Sequence, residues 1–167
     1  MVSFRQACVD DIDAIMRLEN ECFGERVREE AEVFMQRINV FPAGFILLFD
    51  DEQLIGCISS EVRDSTKSDE KTYKTGHSIA RVHDDGGDEL YISSFAISPS
   101  FRGCGFGGLL LKELLDVFSL RTHIKFATLI VARDWAEAVG LCEKMGFVVT
   151  GEVPKLLKNG VMMRKEM

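Results

Sequence analysis

From Arg102 to Gly108 the chain reads Arg-Gly-Cys-Gly-Phe-Gly-Gly, four glycines in seven residues. A strand-like run, Leu90 to Ile97, leads into this turn, and the leucine-rich run LLLKELL follows it. The first N–H groups of a helix have no partner inside the helix, and the helix dipole adds partial positive charge beside them. Glycines let an anion come close without meeting a Cβ. The chemistry expected of the turn is therefore anion binding, and the anion inferred is the pyrophosphate of a coenzyme. Other chemistry-bearing side chains lie nearby in sequence. Tyr91 and Ser93 stand on the strand before the turn, and Glu89 at its entrance. Asp84, Asp85 and Asp88 join Glu89 in an acidic cluster able to attract an amine, although such runs are more often solvated loop. His77 and His83 read as surface residues before they read as proton relays, and His123 reads as a turn residue.

The elements that must position these groups follow from periodicity. A first strand over Val2 to Ala7 precedes a helix capped by Asp10 or Asp11, with Ile12, Ile15, Met16, Cys22 and Phe23 near helical spacing. A second helix is expected over Arg28 to Asn39, broken by Phe41-Pro42. Gly44 to Phe49 and Gln53 to Val62 form a hairpin, the first strand apolar on both faces and so covered on both sides. Arg63 to Glu89 is a long polar connection, read as a functional lid or a disordered insert, with a short helix around Ser68 to Thr75. Strict alternation then places Tyr91, Ser93, Phe95 and Ile97 on one face, and Ile92, Ser94 and Ala96 on the other. A helix over Phe106 to Arg121, a strand over Phe126 to Val131, and a helix over Trp135 to Met145 stopped by Gly146 come next. Two last strands begin at Phe147 and Val161. The order argues for an α/β fold in one domain, 1–167, with helices on both faces of a mixed sheet.

Bulk properties narrow the function. A net charge of −7 argues against binding nucleic acid. The five cysteines form no CxxC pair and sit beside no histidine at ligand spacing, so free thiols in a reducing cytoplasm are expected and no metal site is. No run of 18 apolar residues exists and the N-terminus has no signal-peptide pattern, so neither a membrane span nor export is expected.

The R-x-x-G-x-G pattern of Arg102 to Gly107, the strand ending Ala96-Ile97-Ser98-Pro99, the leucine-rich helix and the segment Glu143-Lys144-Met145-Gly146-Phe147 together resemble the GCN5-related N-acetyltransferases, the GNAT superfamily. The resemblance implies a mixed, mostly antiparallel twisted sheet with helices on both faces. It also implies acetyl-CoA as co-substrate, held by Arg102, Gly103, Cys104, Gly105, Phe106, Gly107 and Gly108 at the pyrophosphate. Backbone groups of Phe95, Ala96 and Ile97 would meet the pantetheine arm and the thioester carbonyl, where the strand splays from its parallel neighbour. Phe41-Pro42-Ala43-Gly44-Phe45 and Ser68-Asp69-Glu70 look like bacterial arylalkylamine and polyamine acetyltransferases. Relatives of this kind are commonly homodimers.

The chain departs from the family pattern where chemistry is done. The tyrosine that protonates the leaving thiolate in many relatives is here Cys142, which is either a replacement acid or a small core residue. An asparagine that bonds the pantetheine is here Trp135, able to stack on the coenzyme or to fill core. The histidine pair of arylalkylamine acetyltransferases is here Tyr91 and Ser93. The expected reaction is direct attack of a small primary amine on acetyl-CoA. Its surplus proton would leave past Tyr91 and Glu89, and Cys142 is the candidate acid. The alternatives are acetylation of a protein or peptide N-terminus, and a non-catalytic coenzyme A-binding regulatory module.

Overall fold

The computed structural model describes residues 1–167. Seven strands form one sheet in the order β1-β2-β3-β4-β5-β7-β6. They are β1 (Val2–Gln6), β2 (Phe45–Asp50), β3 (Gln53–Arg63), β4 (Glu89–Ile97), β5 (Phe126–Ala132), β6 (Val148–Glu152) and β7 (Gly160–Glu166). Only the β4–β5 pair is parallel; every other neighbour is antiparallel. The mixed, mostly antiparallel sheet expected from the sequence is therefore present. The main helices are α1 (Ile12–Cys22), α2 (Ala31–Val40), α4 (Phe106–Phe118) and α5 (Ala136–Lys144), with a single-turn α3 (Ile79–Val82) in the β3–β4 connection.

Two cores lie on the two faces of the sheet. Ile15, Leu18, Phe34 and Ile38 of α1 and α2 pack on Phe45, Leu47, Cys57 and Ala96. Leu110, Leu111, Leu114 and Phe118 of α4, with Cys142 of α5, pack on Ile46, Leu48, Ile58, Ile92, Leu129 and Met163. Strand β2 contributes to both, which is why its sequence is apolar without alternation. Phe41, just before Pro42, leaves the helical region with φ −145° and ψ 67°, and so ends α2. No helix is long and apolar enough to cross a membrane.

Two expectations are corrected. First, the alternation of β4 is interrupted. Ser59 pairs with Ser94 while the next residue, Ser60, pairs with Ile92, so Ser93 is the extra residue of a β-bulge. The bulge keeps Tyr91, Ser93 and Ala96 on the α1/α2 face and turns Phe95 and Ile97 to the α4 face, where they join Ile92. Period-two reading had put Phe95 and Ile97 with Tyr91, because a one-residue insertion is invisible to it. Second, residues 63–89 fold tightly onto the sheet, with Gly76 and His77 held on the α1/α2 face and Ile79 entering the α4-side core. Short turns of 3-10 helix at Ser65–Lys67 and Glu70–Tyr73 are capped by Asp64 and Asp69. His77, Ile79 and both boundary residues, Arg63 and Glu89, are buried.

Candidate active site

The parallel pair β4–β5 is hydrogen-bonded only from Glu89↔Phe126 to Ile92↔Leu129. Both strands continue, β4 to Ile97 and β5 to Ala132, without pairing to each other. The bulge at Ser93 lies where they part, so a wedge opens between their C-terminal halves. Ser98 N donates to Ile55 O at 2.8 Å. Antiparallel alternation then assigns Ala96 to the β3 side and turns the Phe95 and Ile97 peptide groups toward the wedge. Ala96 thus does not offer its backbone to the wedge; its N–H and C=O serve the ladder with Cys57.

The glycine turn closes the wide end of the wedge. Gly103 and Gly105 have φ of +76° and +86°, a region costly for any residue with a Cβ, and a Cβ at either position would project into open space. None of the six consecutive N–H groups from Gly103 to Gly108 donates within the chain; the first bond of the helix is Leu109 N to Gly105 O. Six free amides at the start of a 13-residue helix make a concave, electropositive cradle of the kind that binds phosphate. Gly107 has a further duty, since a Cβ there would lie 3.0 Å from Leu141 of α5. Arg102 uses Nε to donate to Ile97 O at 3.1 Å and so ties the turn to the strand end. Cys104 is exposed. Phe106 packs against the α4-side core and lies 6.1 Å from the Phe101 ring.

The mouth of the wedge on the α1/α2 face is crossed by the end of α1. Cys22 Sγ donates to Ile97 O at 3.3 Å, and the Phe23 ring sits 6.0 Å from that of Trp135 at the start of α5. Trp135 is half-exposed and, with Phe23, bridges the ends of α1 and β5 over the opening.

The proposed proton-handling residues are placed differently from one another. Glu89 is fully buried and accepts the Tyr73 hydroxyl at 2.8 and 3.1 Å. It stands four residues from the bulge, about 13 Å along the strand. Tyr91 is buried, its ring 4.8 Å from that of Tyr73, and its hydroxyl reaches only Tyr73 O at 3.4 Å. Burial pushes the phenol upward, so it stays neutral. Tyr73 of the insert covers both side chains and occupies both oxygens of Glu89, leaving neither a free acceptor. The Cys142 side chain packs in the α4-side core and its thiol has no hydrogen-bond partner; burial pushes the thiol up to about 11. An ordinary thiol sits near 8.5, so a buried thiol raised this way is poorly matched to protonate a leaving thiolate. The acidic cluster is also dispersed. Asp88 binds Ser65 through N and Oγ, Asp85 binds His83, and Asp84 binds Gly86 N.

Sequence reading missed a buried polar stripe on the α1/α2 face, beside and below the bulge. Arg37 donates to Ser59 Oγ at 3.3 Å and to Glu29 Oε1 at 3.0 Å, and Ser59 Oγ lies 3.0 Å from Ser93 Oγ. Glu29 also accepts Gly76 N at 2.9 Å, which ties the α1–α2 segment to the insert. Glu61 is fully buried between Arg63 Nε at 2.9 Å and His77 Nε2 at 2.7 Å. His77 Nδ1 faces Lys74 O at 2.8 Å. Both ring nitrogens of His77 thus meet oxygens, and the residue is buried instead of the surface histidine expected. Arg63 is stacked between the rings of Tyr73 and Tyr91. A signal existed: Glu19 and Arg37 fall on the apolar stripes of their helices, and Glu61 and Arg63 flank Val62 on the inward face of β3.

Comparison with known proteins places these features in context. Residues 12–147 match the model of the acetyltransferase (GNAT) family. An uncharacterized N-acetyltransferase of Bacillus subtilis (strain 168), YkwB, is 23% identical over 123 residues, which is 70% of this chain and 54% of that protein. The chain thus spans about half the length of that curated relative. The structure of GphF, a GNAT-like decarboxylase in complex with isobutyryl-CoA, superposes with a TM-score of 0.82 at 20% identity, covering 98% of each chain. The PaiA N-acetyltransferase of Thermoplasma acidophilum, in complex with coenzyme A, gives 0.74 at 16% identity over 100% of this chain and 99% of that one. Naa50 of Arabidopsis thaliana, bound to a bisubstrate analogue, gives 0.77 at 18% identity over 99% of both. At these identities the likeness is one of fold.

Proposed function

Since the chain belongs to the GNAT acetyltransferase family, we propose that it transfers an acetyl group from acetyl-CoA to the primary amine of a small molecule. The observation that carries the reading is the conjunction of the wedge with the six free amides of 103–108. Those amides would hold the pyrophosphate, and the turn's dependence on Gly103 and Gly105 fits a ligand lying where a Cβ would point. The backbone groups of Phe95 and the N–H of Ile97 would receive the pantetheine arm, and an N–H there would stabilise charge building on the acyl oxygen. The thioester supplies an acyl group activated toward an amine. Phe23 and Trp135 would cover the mouth and exclude water from it.

The insert favours a small acceptor over a peptide. Residues 63–89 are fastened to the α1/α2 face by Gly76 to Glu29 and by His77 to Glu61, so an extended chain would compete with the insert for that face. The acyl donor, the amine and any homodimer are parts of this proposal. A thiol-release assay with acetyl-CoA tests it against a panel of arylalkylamines, polyamines, amino acids and N-terminal peptides. Release with small amines supports the reading, release only with peptides favours N-terminal acetylation, and saturable binding without release leaves a coenzyme A-binding module.

A further inference from the structure

Four buried polar atoms have no partner, Glu19 Oε1, Arg37 Nε, Thr128 Oγ1 and Arg164 Nε, and the first two stand together on α1 and α2. Glu19 is 2% exposed and Arg37 1%. Every other polar atom of these two side chains is used. Glu19 Oε2 accepts Glu29 N at 2.8 Å, and the terminal nitrogens of Arg37 bind Ser59 and Glu29. A buried carboxylate oxygen without a donor is costly, so its persistence calls for an explanation in function.

Its place supplies one. Glu19 follows Leu18 on the inward side of α1, which packs on Cys57 and Ala96. Those residues adjoin the Ser59–Ser94 pair at the bulge, where β4 leaves β5. Three residues further along α1, Cys22 reaches Ile97 O at the edge of the wedge. Glu19 therefore lies on the helix that crosses the strand lining the wedge, one turn from the contact of Cys22 with Ile97 O. Charge points the same way. Arg37 is matched by Glu29 at 3.0 Å, so an ionised Glu19 leaves this buried trio with one negative charge in excess. A cationic guest compensates that charge.

We propose that Glu19 is the catalytic base, taking the surplus proton of an alkylammonium acceptor through its free Oε1. This rests on the reading of the chain as an amine acetyltransferase. One N–H bond of the ammonium breaks and its proton passes to Glu19, then to solvent. The freed lone pair forms the N–C bond to the acyl carbon, the C–S bond breaks, and the departing sulfur takes a second proton from the same nitrogen. Titration suits the role. Burial pushes the Glu19 carboxyl up to about 7, and the charge of Glu29 adds to the rise, while the Glu29 N–H, Arg37 and Arg28 oppose it. The thiols of Cys57 on β3 and of Cys22, three residues on along α1, also face it and are themselves pushed up by burial.

The test is the pH dependence of kcat/KM for Glu19→Gln, with acetyl-CoA binding and melting temperature measured alongside. Gln keeps an oxygen for Glu29 N. Wild type is expected to reach a plateau above about pH 7, as Glu19 ionises. In the variant the plateau should vanish, log kcat/KM rising with unit slope as free amine accumulates, with at least a tenfold loss at pH 7.5 and retained acetyl-CoA binding. An unchanged profile, or a loss of rate that keeps the wild-type profile, overturns the assignment. If wild type itself acetylates no amine in the panel, the functional reading falls and the base with it; the binding measurement then shows whether the coenzyme site survives.

Discussion

Replacing Glu61 by Gln removes the charge that fastens the insert to the sheet. Glu61 is fully buried and receives Arg63 at 2.9 Å and His77 at 2.7 Å. Removing one member of a buried ion pair costs roughly 3–5 kcal/mol, because the partner's charge stays behind without compensation. Two features favour the lower end. Arg63 keeps Thr72 Oγ1 and Thr72 O, and it remains stacked on Tyr73 and Tyr91. A Gln oxygen can also still accept one of the two bonds. At about 3 kcal/mol, and about 2–4 °C per kcal/mol for a domain of this size, Tm should fall by roughly 6–12 °C. Acid should reproduce the effect in wild type. Burial pushes the Glu61 carboxyl up, but the His77 hydrogen bond and the charges of His77, Arg63 and Arg37 outweigh it and hold the group below its ordinary 4.5. Its stabilisation is therefore complete above pH 4.5 and is lost as pH falls through the folded value. Melting curves followed by circular dichroism from pH 3 to pH 7, with amide hydrogen exchange over residues 63–89, make the measurement. The variant should show a shallower acid limb and faster exchange in the insert. A Tm within about 2 °C of wild type, with unchanged exchange, would refute the view that this carboxylate anchors the insert.

Other expectations concern the residues first considered for chemistry. Cys142→Ala should lower stability by about 1 kcal/mol through lost packing and leave kcat within about threefold, read by melting and thiol release; a tenfold fall in kcat would restore the thiol as leaving-group acid. Tyr91→Phe removes a hydroxyl whose only bond is 3.4 Å long, so it should cost less than about 1 kcal/mol and leave the pH profile unmoved. A shifted profile would reopen the proton route past Tyr91. Trp135→Ala should raise KM for the amine more than it lowers kcat, as steady-state kinetics would show, because the ring stands at the mouth opposite Phe23.

Local signals revealed much of this fold and less of its site. Glycine and proline marked the ends of helices and the turn, and apolar periodicity placed every strand and main helix near its observed bounds, because both are consequences of backbone geometry within a few residues. The uniformly apolar run from Phe45 to Leu48 correctly signalled a strand between two cores. Strand β4 shows the limit. The bulge depends on how Ser59 and Ser60 pair with β4 across the sheet, and no property of Ser93 alone announces it. The insert shows a second limit. His77 and Glu61 are 16 residues apart and meet only because 63–89 folds back, so His77 reads as a surface residue until its partners are known. Glu19 and Arg37 were visible as charges on apolar helix faces, yet their meaning came from the atoms left unpaired after every other bond was assigned.

The central claim is that the turn at 102–108 holds the coenzyme. It is tested most directly by calorimetric titration of acetyl-CoA into wild type and Gly105→Val. A side chain at Gly105 meets no protein atom within 4 Å but must sit at φ +86°. The cost to the fold is therefore backbone strain of about 1–2 kcal/mol, small enough to leave a folded protein by circular dichroism. Saturable binding by wild type and its loss in the folded variant is the expected result. Equal affinity in the two proteins would contradict the claim, because a side chain could then occupy the space assigned to the pyrophosphate without disturbing the ligand.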